Sequence, residues 1–171
     1  TLLIWVQLVF GAVMRHSEAG LVAFDYPTMN GDLIPKLSKI NEYNQTRNEF
    51  IWENIENSDS TLTQIDVLDE HLESISPFKL FIHFIHRTWA LIVFGSICYF
   101  WFYIFKYNNK NRLFTIGSSI LLLATSIQLF LGIYTIWSIR DILITTLHVA
   151  NGSLVLATGF YLTIWSWRLK K

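Results

Sequence analysis

Two histidines and an arginine stand together at the start of a long apolar run. His83 and His86 are three residues apart, and Arg87 follows His86 directly. On a helix, residues at this spacing lie on one face, one turn above each other. Ionisable groups inside so apolar a segment are costly, which favours a functional site. The alternative is that the helix starts later and both imidazoles lie at the lipid headgroups.

A third histidine, His148, lies inside the last apolar run. His86 and His148 are each about seven residues, or roughly 10 Å, inside the outer ends that we predict for their helices. Two neutral imidazoles at one depth suit a haem iron, which takes two axial nitrogens. Small residues near His148 would leave room for a flat macrocycle; they are Ala150, Gly152 and Ser153.

Three arginines at similar predicted depth are candidate partners of haem propionates: Arg15, Arg87 and Arg140. Each polar residue also has an ordinary interpretation. A membrane histidine near an interface often only packs and hydrogen-bonds, and arginines at helix ends extend to the headgroups. Gln7 and Gln128 suit hydrogen bonds between helices. From the residues alone, both interpretations stay open.

Other metal sites fit the apolar runs less well. A zinc site takes three or four ligands, commonly carboxylate or thiolate, and a di-iron bundle needs glutamates on its helices. The apolar runs contain no Asp or Glu, and the single cysteine, Cys98, lies in the middle of one of them. We therefore expect no di-iron site, and haem rather than zinc.

Long apolar blocks around one polar block predict an all-α membrane protein. Of the 171 residues, 52% are hydrophobic and 16% aromatic, which is rare for a soluble domain. We predict one domain, 1–171, built as a four-helix transmembrane bundle with helices at about 1–14, 80–105, 113–137 and 142–167. The first run is shorter than the roughly 20 residues of a span, so we expect its helix to be truncated.

A long acidic loop, residues 17–78, connects the first two predicted helices. Its first part, 18–35, is rich in turn residues, and weak helical spacing in 39–76 predicts two short surface helices. Basic residues follow the second and fourth helices; they are Lys106, Lys110, Arg112, Arg168, Lys170 and Lys171. The positive-inside rule then predicts a cytoplasmic C-terminus and an extracytoplasmic loop.

Several motifs, in order along the chain, resemble the haem A synthase family. Those of the first helix and loop are Gln7–His16, Ala19–Leu21, Asp25–Pro27, Asn30–Gly31 and Ile34–Pro35. Those of the later helices are His83–Ala90, Gln128–Thr135 and Leu147–Ala150. Together the motifs extend over the chain except for residues 39–76.

The resemblance implies one of two similar four-helix halves, each holding a haem between histidines of its second and fourth helices. One half takes haem O, whose methyl group is oxidised to the formyl group of haem A, and the other holds haem b. His86 and His148 would be axial ligands of the iron. The implied location is a bacterial plasma membrane or the mitochondrial inner membrane. Implied partners are haem O, lipid, a second half or copy, and haem O synthase or oxidase assembly factors.

Three features depart from the family pattern. His83 occupies a position that is a glutamate in the catalytic half, residues 22–30 contain no cysteine pair, and the acidic insertion 39–76 is long. His83 would be either a polar neighbour of haem b or an acid–base group near the methyl being oxidised. The alternatives to a synthase are a bis-histidine b-type cytochrome that passes electrons and a structural bundle without a cofactor.

Overall fold

The structure, a computed structural model, describes residues 1–56, 74–107 and 111–168. Over these residues the chain is helical and forms no strand. Within the described ranges, five α-helices follow one another: α1 Leu2–His16, α2 Ile40–Glu56, α3 Pro77–Tyr107, α4 Arg112–Trp137 and α5 Ile142–Arg168. Two short 3₁₀ helices, Ala19–Leu21 and Leu37–Lys39, lie between α1 and α2.

Three of the helices, α3, α4 and α5, are long and apolar enough to cross a membrane. Their ends lie within about one helical turn of the predicted ones, and the prediction of an all-α membrane protein is confirmed at this level. α1 is apolar but has only 15 residues. The count of four spans, the orientation in the membrane and the sidedness of the loop stay predictions.

Side-chain caps explain where α4 and α5 begin. The Asn111 side chain accepts a hydrogen bond from the main-chain N–H of Phe114, and Asp141 accepts one from Ile144 at 3.1 Å. Short polar side chains at these positions satisfy main-chain donors that a helix start leaves unpaired. The connection between the two helices is therefore a tight turn of a few residues around Ile139 and Arg140, both with positive φ.

The chain forms two compact units, and the boundaries between them fall within α1 and α3. The first unit comprises Thr1–Val9 and Thr88–Lys171. In it, Trp89 Nε1 donates to the Leu3 carbonyl at 3.0 Å. A Cβ added at Gly159 would stand 2.9 Å from Ile4 Cδ1, so α1 and α5 approach closely there. The prediction of a single domain over 1–171 is not tested by this division.

The second unit, Phe10–Arg87, contains the first part of the loop. That part is folded around its own buried side chains Ala19, Val22, Ala23 and Met29, and Tyr43 of α2 is buried in the same unit. The first predicted surface helix corresponds to α2. The second one, near 62–72, lies outside the described residues, as do three of the predicted basic residues, Lys110, Lys170 and Lys171.

Candidate functional site

His86 packs against a glycine of the first apolar helix. It lies on α3, and a Cβ added at Gly11 of α1 would stand 3.2 Å from its Cε1 and 3.7 Å from its Nδ1. Nε2 of His86 lies beyond 4 Å from that point. The glycine therefore admits the Nδ1 edge of the ring, and the opposite nitrogen is directed away from this contact.

His148 has the same kind of neighbour in the other unit. It lies on α5, and a Cβ added at Gly132 of α4 would stand 3.1 Å from its Cε1, 3.7 Å from Nδ1 and 4.0 Å from Nε2. Contacts this short leave almost no room for an added carbon atom. Each histidine thus lies close against a helix that lacks a side chain at the point of contact.

An amide side chain, Gln128, also contacts His148, and a second amide, Asn151, binds Gln128. Gln128 Nε2 of α4 lies 3.2 Å from both ring nitrogens of His148. Asn151 Nδ2 donates to Gln128 Oε1 at 2.8 Å and to the Ala124 carbonyl at 2.9 Å. Gln128 therefore bonds across from α4 to α5, the interhelical role that its type suggested.

His83, one turn before His86, is buried, with only 1% of its surface exposed. Its imidazole hydrogen-bonds to the main-chain carbonyl of Ala19. Because Nδ1 has no partner among the described residues, the bond is made by Nε2. His83 thus joins α3 to the segment that follows α1. Its proposed catalytic role stays a prediction.

Arg87 binds the main chain of the loop. One terminal nitrogen donates to the carbonyls of Asp25 and Thr28 at 2.8 and 3.0 Å, and the other donates to the Ala23 carbonyl at 2.6 Å. A guanidinium with several donors in one plane suits such a set of acceptors. The predicted pairing of Arg87 with a propionate stays untested, but its terminal nitrogens already have these partners.

The carboxylate of Asp25 organises the same stretch from within. It accepts hydrogen bonds from the main-chain N–H groups of Asn30 and Gly31 and from the Thr28 hydroxyl. Burial by itself would raise the pKa of this carboxyl, but the bonds from Gly31, Thr28 and Asn30 together lower it below its usual value. The charged form of Asp25 therefore stabilises the loop that Arg87 holds.

The remaining predicted residues are two arginines and the small residues near His148. Arg15 is exposed, and Arg140 is half-buried in the α4–α5 turn. Of the small residues near His148, Gly152 is buried against Gln128, whereas Ala150 and Ser153 are exposed. Gly152 therefore makes room for a glutamine side chain, and the predicted space for a macrocycle beside Ala150 and Ser153 stays untested.

The two histidine environments fit axial ligation of a haem iron. A bis-histidine haem site requires one imidazole nitrogen from each of two helices, and neighbouring residues small enough to admit a flat ring. His86 and His148 each have a glycine of a preceding apolar helix against the ring edge. Over the described residues, no group of three or more His, Cys, Asp and Glu side chains is placed to hold a metal ion.

A short repeat in the sequence could have revealed this packing. Gln7 and Gly11 are four residues apart with a leucine after the glutamine, and Gln128 and Gly132 repeat the pattern. The structure places both glycines, Gly11 and Gly132, against a histidine. The role of Asn151 had no comparable signal, because a lone asparagine in an apolar helix indicates only some polar contact.

These observations define a helical membrane protein that carries histidines and amides inside its apolar helices. The chain belongs to the COX15-CtaA family, described as cytochrome oxidase assembly protein, whose family model matches residues 1–160. This is the haem A synthase family. Its role in oxidase assembly is an oxidoreductase step of haem A biosynthesis. The resemblance found in the motifs is confirmed. No curated protein and no solved structure matches the chain significantly.

Proposed function

We propose that the chain is a haem-binding four-helix half of a haem A synthase, with His86 and His148 as the two axial ligands of one iron. The observation that carries the proposal is the packing shared by the two histidines, each close against a glycine in a family that handles haem. A bound haem would supply either the methyl group that is oxidised to formyl, as haem O, or an electron-storing iron, as haem b.

The protein's own residues would orient the group and close the site on one side. Gly11 and Gly132 admit the edges of the two imidazoles, and one nitrogen of each ring would bind the iron. Arg15 and Arg140 are candidates for the propionates. Arg87 is a third candidate, although it also holds the loop carbonyls of Ala23 to Thr28.

His83 distinguishes the two candidate functions. An acid–base group at the reacting methyl must exchange protons with its surroundings during the reaction. His83 is buried, and its Nε2 is bonded to Ala19, which leaves Nδ1 as the one nitrogen for such a role. This arrangement favours the second candidate, a bis-histidine b-type cytochrome in which the same haem only passes electrons.

The test is the pigment that the protein produces when it is made together with a source of haem O. Haem is extracted from the purified protein and separated by chromatography. The synthase predicts hydroxymethyl or formyl haem, and its loss in His83→Leu would assign the acid–base role to that residue. Recovery of protohaem alone would contradict the synthase for this chain and favour the cytochrome.

The protein would be an integral component of a bacterial plasma membrane or a mitochondrial inner membrane. Its partners would be haem O, lipid and a second four-helix half or copy, with haem O synthase or oxidase assembly factors delivering and receiving the haem. Cross-linking of the membrane-embedded protein, followed by mass spectrometry, would identify the second half or copy. A monomer without cross-links at any concentration would contradict this part of the proposal.

A further inference from the structure

We propose that Gln128, oriented by Asn151, is a positioning residue that controls how His148 presents its ring nitrogens. The two amides are called the amide clamp below. The inference rests on the proposed function, because it concerns His148 as a ligand. All contacts that carry it join α4 and α5 within one unit.

The direction of every bond in the amide clamp follows from one main-chain carbonyl. The Ala124 carbonyl can only accept, so the NH₂ group of Asn151, 2.9 Å away, must face it. The second hydrogen of that NH₂ group goes to Gln128 Oε1 at 2.8 Å. With its oxygen engaged by Asn151, Gln128 directs its own NH₂ group at His148.

His148 must therefore accept a hydrogen bond. A neutral imidazole has one donor nitrogen and one acceptor nitrogen, and the NH₂ group of Gln128 is 3.2 Å from both. It donates to whichever nitrogen lacks the hydrogen. Gly152 permits this position, because a Cβ there would stand 3.2 Å from Gln128 Nε2 and 3.3 Å from Leu8 Cδ2.

Ligation reverses what the ring requires. A histidine that gives one nitrogen to a metal carries a hydrogen on the other and donates it to an oxygen acceptor nearby. The NH₂ group of Gln128 cannot accept, so its amide has to turn over and present Oε1 instead. Asn151 opposes this rotation, since the Ala124 carbonyl keeps its NH₂ group, a donor, facing Gln128.

The amide clamp thus favours His148 without a metal and weakens it as an axial ligand. A ligand restrained in this way suits a haem that enters and leaves, as a substrate or product must. Removing the restraint while keeping an acceptor will strengthen the ligand. The glutamate in Gln128→Glu does so, because one oxygen accepts from Asn151 and the other from the ring N–H of ligated His148.

The experiment compares haem retention and midpoint potential in the full chain, purified in lipid nanodiscs and loaded with protohaem. Gln128→Glu is expected to slow haem loss to apomyoglobin about tenfold, the lower end of typical outer-shell effects, and to lower the midpoint potential. Asn151→Ala, which frees Gln128 to turn, is expected to slow haem loss as well. Gln128→Leu offers no acceptor and is expected to raise the potential. Ser126→Ala, an exposed neighbour bonded within its own helix, is the control.

A role in packing alone predicts a different pattern, in which all three variants lose haem faster and shift the potential in one direction. That result would overturn the inference and leave the proposed function intact. Failure of the wild type to retain any haem would overturn both. Nitrogen-15 NMR of the haem-free protein gives a second readout: the His148 ring shifts should change in Gln128→Leu and not in Ser126→Ala.

Discussion

His86 and His148 lie in two regions that share one feature and differ in another. Both rings pack against a glycine, Gly11 or Gly132, at nearly the same distances. Around His86, the neighbouring α3 side chains His83 and Arg87 bind main-chain carbonyls of the segment that follows α1. Around His148, the side-chain amide of Gln128 contacts the ring itself. One histidine therefore belongs to a region that organises a loop, and the other to a region in which a neighbouring side chain contacts the imidazole.

The difference shows that two histidines with similar glycine contacts can have unlike polar neighbours. Carbonyls of the loop are fixed acceptors, so Arg87 needs no particular orientation of a partner side chain. An amide can turn over, so Gln128 can respond to the hydrogen on the His148 ring. We therefore expect substitutions near His86 to alter the loop, and substitutions near His148 to alter the properties of the haem.

The largest effect is expected for Arg87→Met, which removes the three charge-assisted hydrogen bonds that the guanidinium donates to loop carbonyls. Buried acceptors left without partners cost on the order of 3 kcal/mol in total, or roughly a hundredfold in local opening. Hydrogen exchange of residues 19–32 measures it. The control is Arg15→Met, an exposed arginine of the same unit. Unchanged exchange in Arg87→Met would show that the loop does not depend on this residue.

The next effect concerns the glycine that packs against each of the two histidines. Gly132→Val and Gly11→Val add carbon atoms where even a Cβ would stand 3.1 or 3.2 Å from a ring. Overpacking of this kind costs about 1–3 kcal/mol, so each variant should weaken haem retention about tenfold or more. Gly95→Val is the matched control, since a Cβ there meets nothing within 4 Å. Equal retention in all three variants would break the parallel between the histidines.

A smaller effect is expected for His83→Leu, which removes the bond to the Ala19 carbonyl. The expected loss is about 1 kcal/mol of local stability, seen as faster hydrogen exchange near residues 19–21. The visible spectrum of bound haem should not change, because His83 is assigned to the loop. A shifted Soret band in this variant would instead show that His83 contacts the haem, and the contrast between the two regions would need revision.

The smallest effect lies farther along the loop, at Asp32. Hydrogen bonds from Lys39, Tyr43 and Lys36 lower the pKa of its carboxyl from 3.8 to about 2. Since the pKa is lower in the folded protein, these bonds stabilise the loop fully above about pH 4, and the stabilisation is lost as the pH falls through about 2. Hydrogen exchange near Tyr43 between pH 5 and pH 2 measures it. Asp32→Asn should remove this pH dependence, whereas Glu49→Gln, at an exposed carboxylate of α2, should not.

Much of the helical framework could be predicted from the sequence, because uninterrupted apolar runs of more than about twenty residues are typical of membrane-spanning helices. The bounds of α3, α4 and α5 followed from such runs. The histidines could be selected as candidates for the same reason, since polar groups are conspicuous there. The repeat of Gln7 and Gly11 at Gln128 and Gly132 was also present in the sequence, although its contact with the histidines became visible only in the structure.

The partners of the polar side chains could not be predicted in this way. Arg87 stands beside His86 in the sequence, which suggested a propionate, yet its terminal nitrogens bind main-chain carbonyls. Carbonyls are present at every residue and carry no sequence signal, so only the folded loop reveals them. The same holds for Ala124, whose carbonyl orients the amide clamp.

The most direct test of the central claim is the electron paramagnetic resonance spectrum of the purified protein loaded with haem. Two axial histidines predict a low-spin ferric signal, converted to a high-spin signal in both His86→Ala and His148→Ala and retained in His16→Ala, an exposed histidine. A low-spin signal that survives either of the first two substitutions would contradict the assignment of that histidine as a ligand.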